Sequence, residues 1–137
     1  ENDEAVNKTA VLELNEIIDK QLAQQRIQPS IDWLNRADPN GYTIQFMSGD
    51  MGDMTSAENF LAQLQSADLL DDSYICISVF EGNSYWTIKH GAFPGLSHAQ
   101  NYINELPARF FDFQPFVQNL SGVECNANNS LAALIME

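Results

Sequence analysis

The chain has 137 residues, of which 45% are hydrophobic, enough for one domain with its own core or a small domain with an appended segment. Six basic residues against 19 acidic ones give a formal net charge of -13, which repels nucleic acid and anionic lipid at long range. No apolar run is long enough to span a bilayer. The start at Glu1, without an initiator methionine or a signal-like segment, is typical of a fragment or a processed chain. We therefore expect no nucleic-acid partner, no direct membrane contact by this segment, and any anchor outside it.

Residues 1–40 form an N-terminal helical and linker segment in this interpretation. A set of apolar residues recurs at helical spacing: Val11, Leu14, Ile18 and Leu22. This spacing predicts a packing or spacer helix that ends at Pro29. The stretch from Ser30 to Ala37 is predicted to be a short apolar turn. The turn signal Pro39-Asn40-Gly41 then marks the start of the main domain, residues 41–123, and residues 124–137 form a C-terminal tail.

The main domain repeats itself in outline. An alternating strand that begins at Tyr42 precedes the helical pattern TSAENFLAQL, and the strand WTIKHGAF precedes SHAQNYINEL. Capping boxes at 55–58 and 97–100 predict helices that begin near Thr55 and Ser97. Each helix carries one apolar stripe, formed by Ala57, Phe60, Leu61 and Leu64 in the first and by Ala99, Tyr102, Ile103 and Leu106 in the second.

Two further strands complete the pattern. The run 73–80 and the run 85–90 flank the turn residues 81–84 and predict a hairpin, and 116–120 is a last short strand. The order β-α-β-β-α-β predicts an α+β, ferredoxin-like fold, in which both helices cover one face of a four-stranded antiparallel sheet.

The other sheet face is expected to be open. Alternation along the first strand turns Thr43, Gln45 and Met47 toward it, and alternation along the third strand adds Tyr85, Thr87 and Lys89. Ile44, Trp86 and His90 are expected on the helix side. An aromatic ring beside amides and hydroxyls is suited to flat polymers such as stacked bases or sugar rings. Antiparallel sheets also commonly face water on one side without any ligand.

The motifs YTIQFMS, SAENFLAQL, GNSYWTIKHGAF and SHAQNYINEL, together with the lead-in IDWLNRADPNG, resemble a SPOR domain over about residues 41–123. SPOR domains are the peptidoglycan-binding modules of bacterial cell-division and wall-remodelling proteins. The resemblance implies non-catalytic binding of glycan strands stripped of their stem peptides, and recruitment of a parent protein to the division septum. It implies a periplasmic domain of a bacterial, inner-membrane-anchored protein, with glycan strands and other division proteins as expected partners.

The resemblance also implies ligand-binding residues on the open face. By position these are Gln45 and Ser48 in the first strand, Tyr85 at the start of the third strand, and Phe116 at the start of the last. Thr43, Thr87 and Lys89 complete the predicted floor of the site. Lys89 is interpreted as a contact to a lactyl carboxylate or a sugar hydroxyl, or as an ordinary edge-protecting lysine.

Two cysteines, Cys76 and Cys125, are too few for a disulfide scaffold but enough for one bond. Because the second and fourth strands lie at opposite edges of this topology, we expect the two thiols to be free or only weakly paired.

Other function classes have weaker support. An RNA-recognition module shares the topology, but the acidic charge argues against it. A protein-docking module that uses the open face is the main alternative. No cysteine or histidine spacing resembles a metal site, and no serine lies in a nucleophile motif, so we expect no enzyme activity, metal or cofactor.

Overall fold

The computed structural model describes residues 21–125. Four strands form one antiparallel sheet in the order β2-β3-β1-β4. This arrangement confirms the predicted α+β, ferredoxin-like fold with an N-terminal helix. The elements are α1 Gln21–Arg36, β1 Tyr42–Asp50, α2 Met54–Ser66, β2 Ser73–Phe80, β3 Asn83–Phe93, α3 Leu96–Glu105 and β4 Phe116–Asn119.

The main core lies between the sheet and the two helices α2 and α3. Ile44, Trp86 and Ile88 are fully buried on the sheet side, as the strand alternation predicts. The predicted stripe of α2 is buried against them, and Phe60 packs on Phe46 with ring centroids 5.2 Å apart. Ala99 and Leu106 of α3 are buried as well. Burial of alternate strand residues under these helices determines which side chains reach the opposite face.

The helices α2 and α3 begin at Met54 and Leu96, one residue before the predicted starts. The predicted capping boxes are wrong, because the N-cap residues are Asp53 and Gly95 and neither makes a side-chain cap hydrogen bond. The Glu58 carboxylate instead accepts hydrogen bonds from the backbone N–H groups of Leu22 (2.9 Å) and Ala23 (3.0 Å) in α1. Glu58 thus links α2 to α1 instead of capping the N-terminus of α2.

The predicted helix end at Pro29 is also wrong. Helix α1 continues to Arg36, so the predicted apolar turn that follows Pro29 is helical. Tertiary contacts hold this part of the helix against the edge strand β2. The Ser30 hydroxyl accepts a hydrogen bond from the Ile75 N–H (2.9 Å), and the Arg26 Nε donates to the Ser73 carbonyl (2.9 Å). The earlier part of the predicted helix, residues 11–18, lies outside the described residues.

A β-bulge in β1 changes which residues face the helices. Gln45 pairs with Lys89, but the next pair is Met47 with Ile88, so β1 has one residue more than β3 over this interval. Met47 therefore packs against the main core, which corrects its predicted place on the open face. Beyond the bulge, Ser48 pairs with Thr87 and shares its face.

The face opposite the helices is partly covered. The end of α1 and the segment after β4 form a second apolar cluster with Trp33, Cys76, Leu120 and Val123 as its buried members. The Trp33 ring stacks on Tyr74 with centroids 4.3 Å apart and planes 8° from parallel. Among residues 21–125, the part of this face away from the cluster stays uncovered.

Cys76 and Cys125 form a disulfide with their α-carbons 4.4 Å apart, so the prediction of free thiols is wrong. The strands β2 and β4 do lie at opposite edges of the sheet. Cys125, however, follows β4, and the chain between them returns toward β2, where the Cys76 side chain points away from the main core. The positions of the two edge strands therefore do not decide the distance between the thiols, because Cys125 lies beyond the end of β4.

We expect the Cys125→Ser variant, or wild-type protein under reductant, to lose roughly 2 to 4 kcal/mol of unfolding free energy. The physical reason is the loss of a covalent loop that joins residues 49 positions apart. Urea denaturation with and without reductant measures the change. Alkylation without reductant should leave both cysteines unlabelled in the mass spectrum, and complete labelling would contradict the disulfide.

His90 is buried on the helix side of the sheet and forms a polar chain. Its Nδ1 lies 2.7 Å from the Ser73 Oγ, and its Nε2 lies 2.8 Å from the Tyr102 hydroxyl. Burial lowers the pKa of His90 to about 4, although the Asp72 charge acts in the opposite direction, so the imidazole is neutral at pH 7. Because the Ser73 hydroxyl donates its proton to the Leu69 carbonyl (2.7 Å), Nδ1 donates to Ser73. In the neutral ring, Nε2 then accepts from the Tyr102 hydroxyl.

The unfolded chain binds a proton at His90 near pH 6.5, whereas the folded domain resists protonation until about pH 4. Stability from the neutral imidazole is therefore complete above pH 6.5 and is lost as the pH falls toward 4, by about 3 kcal/mol in total. We expect the stability difference between wild type and His90→Gln to shrink by about this amount from pH 7 to pH 4. Urea titrations measure it, with the exposed His98→Gln variant as control.

Candidate ligand-binding site

The uncovered part of the sheet face carries six side chains that we call the open face: Gln45, Ser48, Tyr85, Thr87, Phe116 and Gln118. Register places them together, because Gln45 pairs with Phe116, and Ser48 pairs with Thr87. Phe116 and Tyr85 are 52% and 36% exposed, which is high for rings on a sheet. Five of the seven predicted site residues therefore lie on one accessible surface.

The two rings stand at opposite ends of the open face. Phe116 lies beside Gln45 on the edge strand β4, whereas Tyr85 pairs with Asp50 at the far end of β1. Asp50 lies five positions after Gln45, a distance of about 16 Å along the strand. Between the rings lie amide and hydroxyl groups, so the surface alternates between stacking and hydrogen-bonding elements.

Thr43 belongs to this side by register but is completely buried. Its hydroxyl lies within hydrogen-bond distance of the backbone carbonyls of His90 (3.1 Å) and Gly91 (2.7 Å). Gly91 has a φ of +73°, and a Cβ there would come within 2.8 Å of the Phe93 ring, so this turn of β3 requires glycine. Thr43 thus stabilises the irregular backbone of β3 at Gly91 and presents no polar atom to a ligand.

Lys89 lies beneath the open face with 3% of its surface exposed. Its ammonium donates hydrogen bonds to the Oε1 atoms of Gln45 and Gln118. No described carboxylate forms an ion pair with it, although the chain is strongly acidic. Burial without a counter-charge lowers the pKa of Lys89 to about 8. Lys89 is thus neither an exposed ligand contact nor an edge-protecting lysine in this structure.

Gln118 was missed by the sequence interpretation. It lies two residues after Phe116 on β4 and pairs with Thr43, so strand alternation alone places it on the same face as Phe116. The signal was available in the motif PFVQN. The strand is only four residues long, which makes such a pattern easy to overlook.

Gly49 keeps the neighbouring core intact. A Cβ at this position would come within 2.5 Å of the Trp86 ring, which lies directly over the glycine backbone. The Trp86 indole N–H is buried without a hydrogen-bond partner in the described structure. The ring therefore acts as a purely apolar support beneath the end of β1 that carries Ser48.

A second depression lies away from the open face, beside His90 and Tyr102. Asp72, Gly91, Ala92 and Phe93 complete its lining. Between residues 21 and 125, no group of three or more histidine, cysteine or acidic side chains is arranged to hold a metal ion. Within the same range, no helix is both long and apolar enough to cross a membrane.

Comparison with known proteins adds no assignment. No protein-family model matches the chain, and no curated protein matches its sequence. The geometry of the open face, together with the sequence motifs, is therefore the basis for a functional proposal.

The unfolded chain holds a proton on Lys89 up to about pH 10.4, whereas the folded domain releases it near pH 8. Wild-type stability should therefore rise between pH 8 and pH 10.4, where the unfolded chain binds more protons. We expect a gain of about 2 to 3 kcal/mol from pH 7 to pH 10 relative to Lys89→Met. Urea denaturation of both proteins across this range measures it, and parallel pH profiles would contradict the assigned burial.

Proposed function

We propose that the chain is a non-catalytic binding module for peptidoglycan glycan strands that lack stem peptides, and that it targets a parent protein to the division septum. The single observation that carries the proposal is the open face itself. Two exposed rings, Tyr85 and Phe116, bracket a row of amide and hydroxyl groups on the part of the sheet face that the described helices leave open. The SPOR-like motifs of β1, α2, β3 and α3 support the same ligand.

The chemistry of a glycan strand fits this surface. Pyranose rings have flat apolar faces that stack on aromatic side chains, and their hydroxyl and N-acetyl groups form hydrogen bonds at the edges. Rings about 16 Å apart along β1 would contact different sugars of one strand. The polar residues between them, Gln45, Ser48 and Thr87, would then bond the sugars in the middle.

The proposed location is the periplasm of a bacterium, in a protein anchored in the inner membrane outside this segment. The disulfide between Cys76 and Cys125 supports an oxidising compartment, because such bonds persist there and are rare in a reducing cytosol.

A protein-docking module is the second candidate. It is favoured by the position of Phe116, which is 52% exposed on the edge strand β4. A partner segment that pairs with this edge could cover the ring. In that case, mutations on β4 would matter, whereas Tyr85 on β3 would contribute little.

The test is co-sedimentation with purified sacculi before and after amidase treatment. We expect enrichment on treated sacculi, and a loss of about 1 kcal/mol in binding for each of Gln45→Ala, Tyr85→Ala and Phe116→Ala. The stability of Tyr85→Ala and Phe116→Ala should change by less than about half that amount, because these rings are exposed. Gln45→Ala also removes an acceptor of the buried Lys89 ammonium and should destabilise the domain by roughly 1 to 3 kcal/mol. By contrast, Ile44→Ala and Trp86→Ala should destabilise the domain by roughly 2 to 5 kcal/mol, since both side chains are buried in the main core.

Phe111→Ala is the matched control, because Phe111 is 44% exposed but lies in the loop between α3 and β4. It should leave binding unchanged. A folded Gln45→Ala, Tyr85→Ala double variant that still binds treated sacculi like wild type would rule out the open face as the glycan site. Failure of the wild-type domain to bind treated sacculi would favour the docking alternative.

A further inference from the structure

The buried ammonium of Lys89 fixes the orientation of two side-chain amides on the open face. An ammonium group can only donate hydrogen bonds, so the carbonyl oxygens of Gln45 and Gln118 must both turn toward it. The Nε2 atoms of the two glutamines consequently point away from Lys89. Neither Nε2 donates to another described residue. Two amide groups thus carry N–H donors that no other part of the described chain uses.

Without Lys89, neither amide would have a preferred direction. A glutamine amide can rotate by half a turn at little cost, and then offers an acceptor where it had offered donors. Lys89 removes this ambiguity for both residues at once, since one ammonium binds both oxygens. The lysine itself is only 3% exposed and cannot reach a ligand on the surface. Its effect on binding must therefore pass through the glutamines.

We propose that Lys89 is a positioning residue that makes Gln45 and Gln118 donors to the N-acetyl carbonyl oxygens of a glycan strand. This inference rests on the proposed function and adds to it the group that is recognised. N-acetyl carbonyls and lactyl carboxylates are the strongest acceptors on such a strand. The net charge of -13 opposes an approach of the carboxylates, so the neutral carbonyl is the favoured acceptor.

The decisive variant is Gln118→Glu, which has nearly the same shape. Its carboxylate still accepts from the Lys89 ammonium, but it has no N–H to give to a ligand. If Gln118 served only to satisfy the buried lysine, this variant would bind like wild type. We expect instead a roughly five- to tenfold weaker association with amidase-treated sacculi, the effect of one lost hydrogen bond. Gln114→Glu, at an exposed position before β4, is the control for added charge.

Two further experiments distinguish the loss of an N–H donor from charge repulsion as the cause of weaker binding. Repulsion between the new carboxylate and a lactyl group would be screened at high salt, whereas a lost donor would not be restored. Chemically de-N-acetylated, amidase-treated sacculi lack the proposed acceptor. They also carry free amines, so this comparison is made at high salt, which screens the attraction of those amines to the acidic domain. Under that condition, wild type should bind them more weakly than acetylated sacculi, and Gln118→Glu should show no additional loss on them. Lys89→Met should reduce this preference for acetylated strands, a change that a merely structural role would not produce.

The outcomes are distinct. Failure of wild type to bind treated sacculi overturns the proposed function and this inference with it. Wild-type binding together with undiminished binding by a folded Gln118→Glu variant overturns the donor role alone. The donor role is also overturned if Gln118→Glu regains wild-type binding at high salt. It is overturned likewise if this variant loses equal binding on acetylated and de-N-acetylated sacculi. A salt-independent loss confined to acetylated strands is the expected result.

Discussion

Burial of Trp86 and Ile88 beneath α2 and α3 is the constraint that decides which side chains lie on each face of the sheet. Side chains on a strand alternate, so burying these two residues turns Tyr85, Thr87 and Lys89 the other way. The neighbouring strand β1 follows through its pairing with β3, with the bulge before Met47 adjusting its phase. The position of every group on the open face therefore depends on apolar packing that no ligand would touch.

The lysine beneath the open face is unusual because apolar packing does not account for it. A buried ammonium without a carboxylate partner is costly, and its lowered pKa reflects that cost. A methionine would fill comparable space without a charge. Two neutral amides compensate for only part of the lost hydration, so the lysine is retained here at a net cost in stability.

Strand periodicity was sufficient to predict the element order, the helix-facing residues and most of the open face. It failed where a local irregularity or a distant contact decided the outcome. Met47 was misplaced because an inserted residue reverses the alternation, and nothing in YTIQFMS marks the bulge. Pro29 was given too much weight because the contacts of Ser30 and Arg26 with β2 lie more than 40 positions away in the chain. Cys125 was misjudged because the path of the chain after a strand has no periodic signature.

The disulfide also determines how the domain would respond to mechanical load. Strand β4 is four residues long and lies at the sheet edge, so a pull on its end alone could peel it from β1 one hydrogen bond at a time. A pull applied beyond Cys125 instead passes through the covalent link to Cys76. Cys76 lies in β2, which pairs with β3 along its whole length of eight residues. The force therefore enters the sheet at β2, and β4, with Phe116 and Gln118, is shielded from tension.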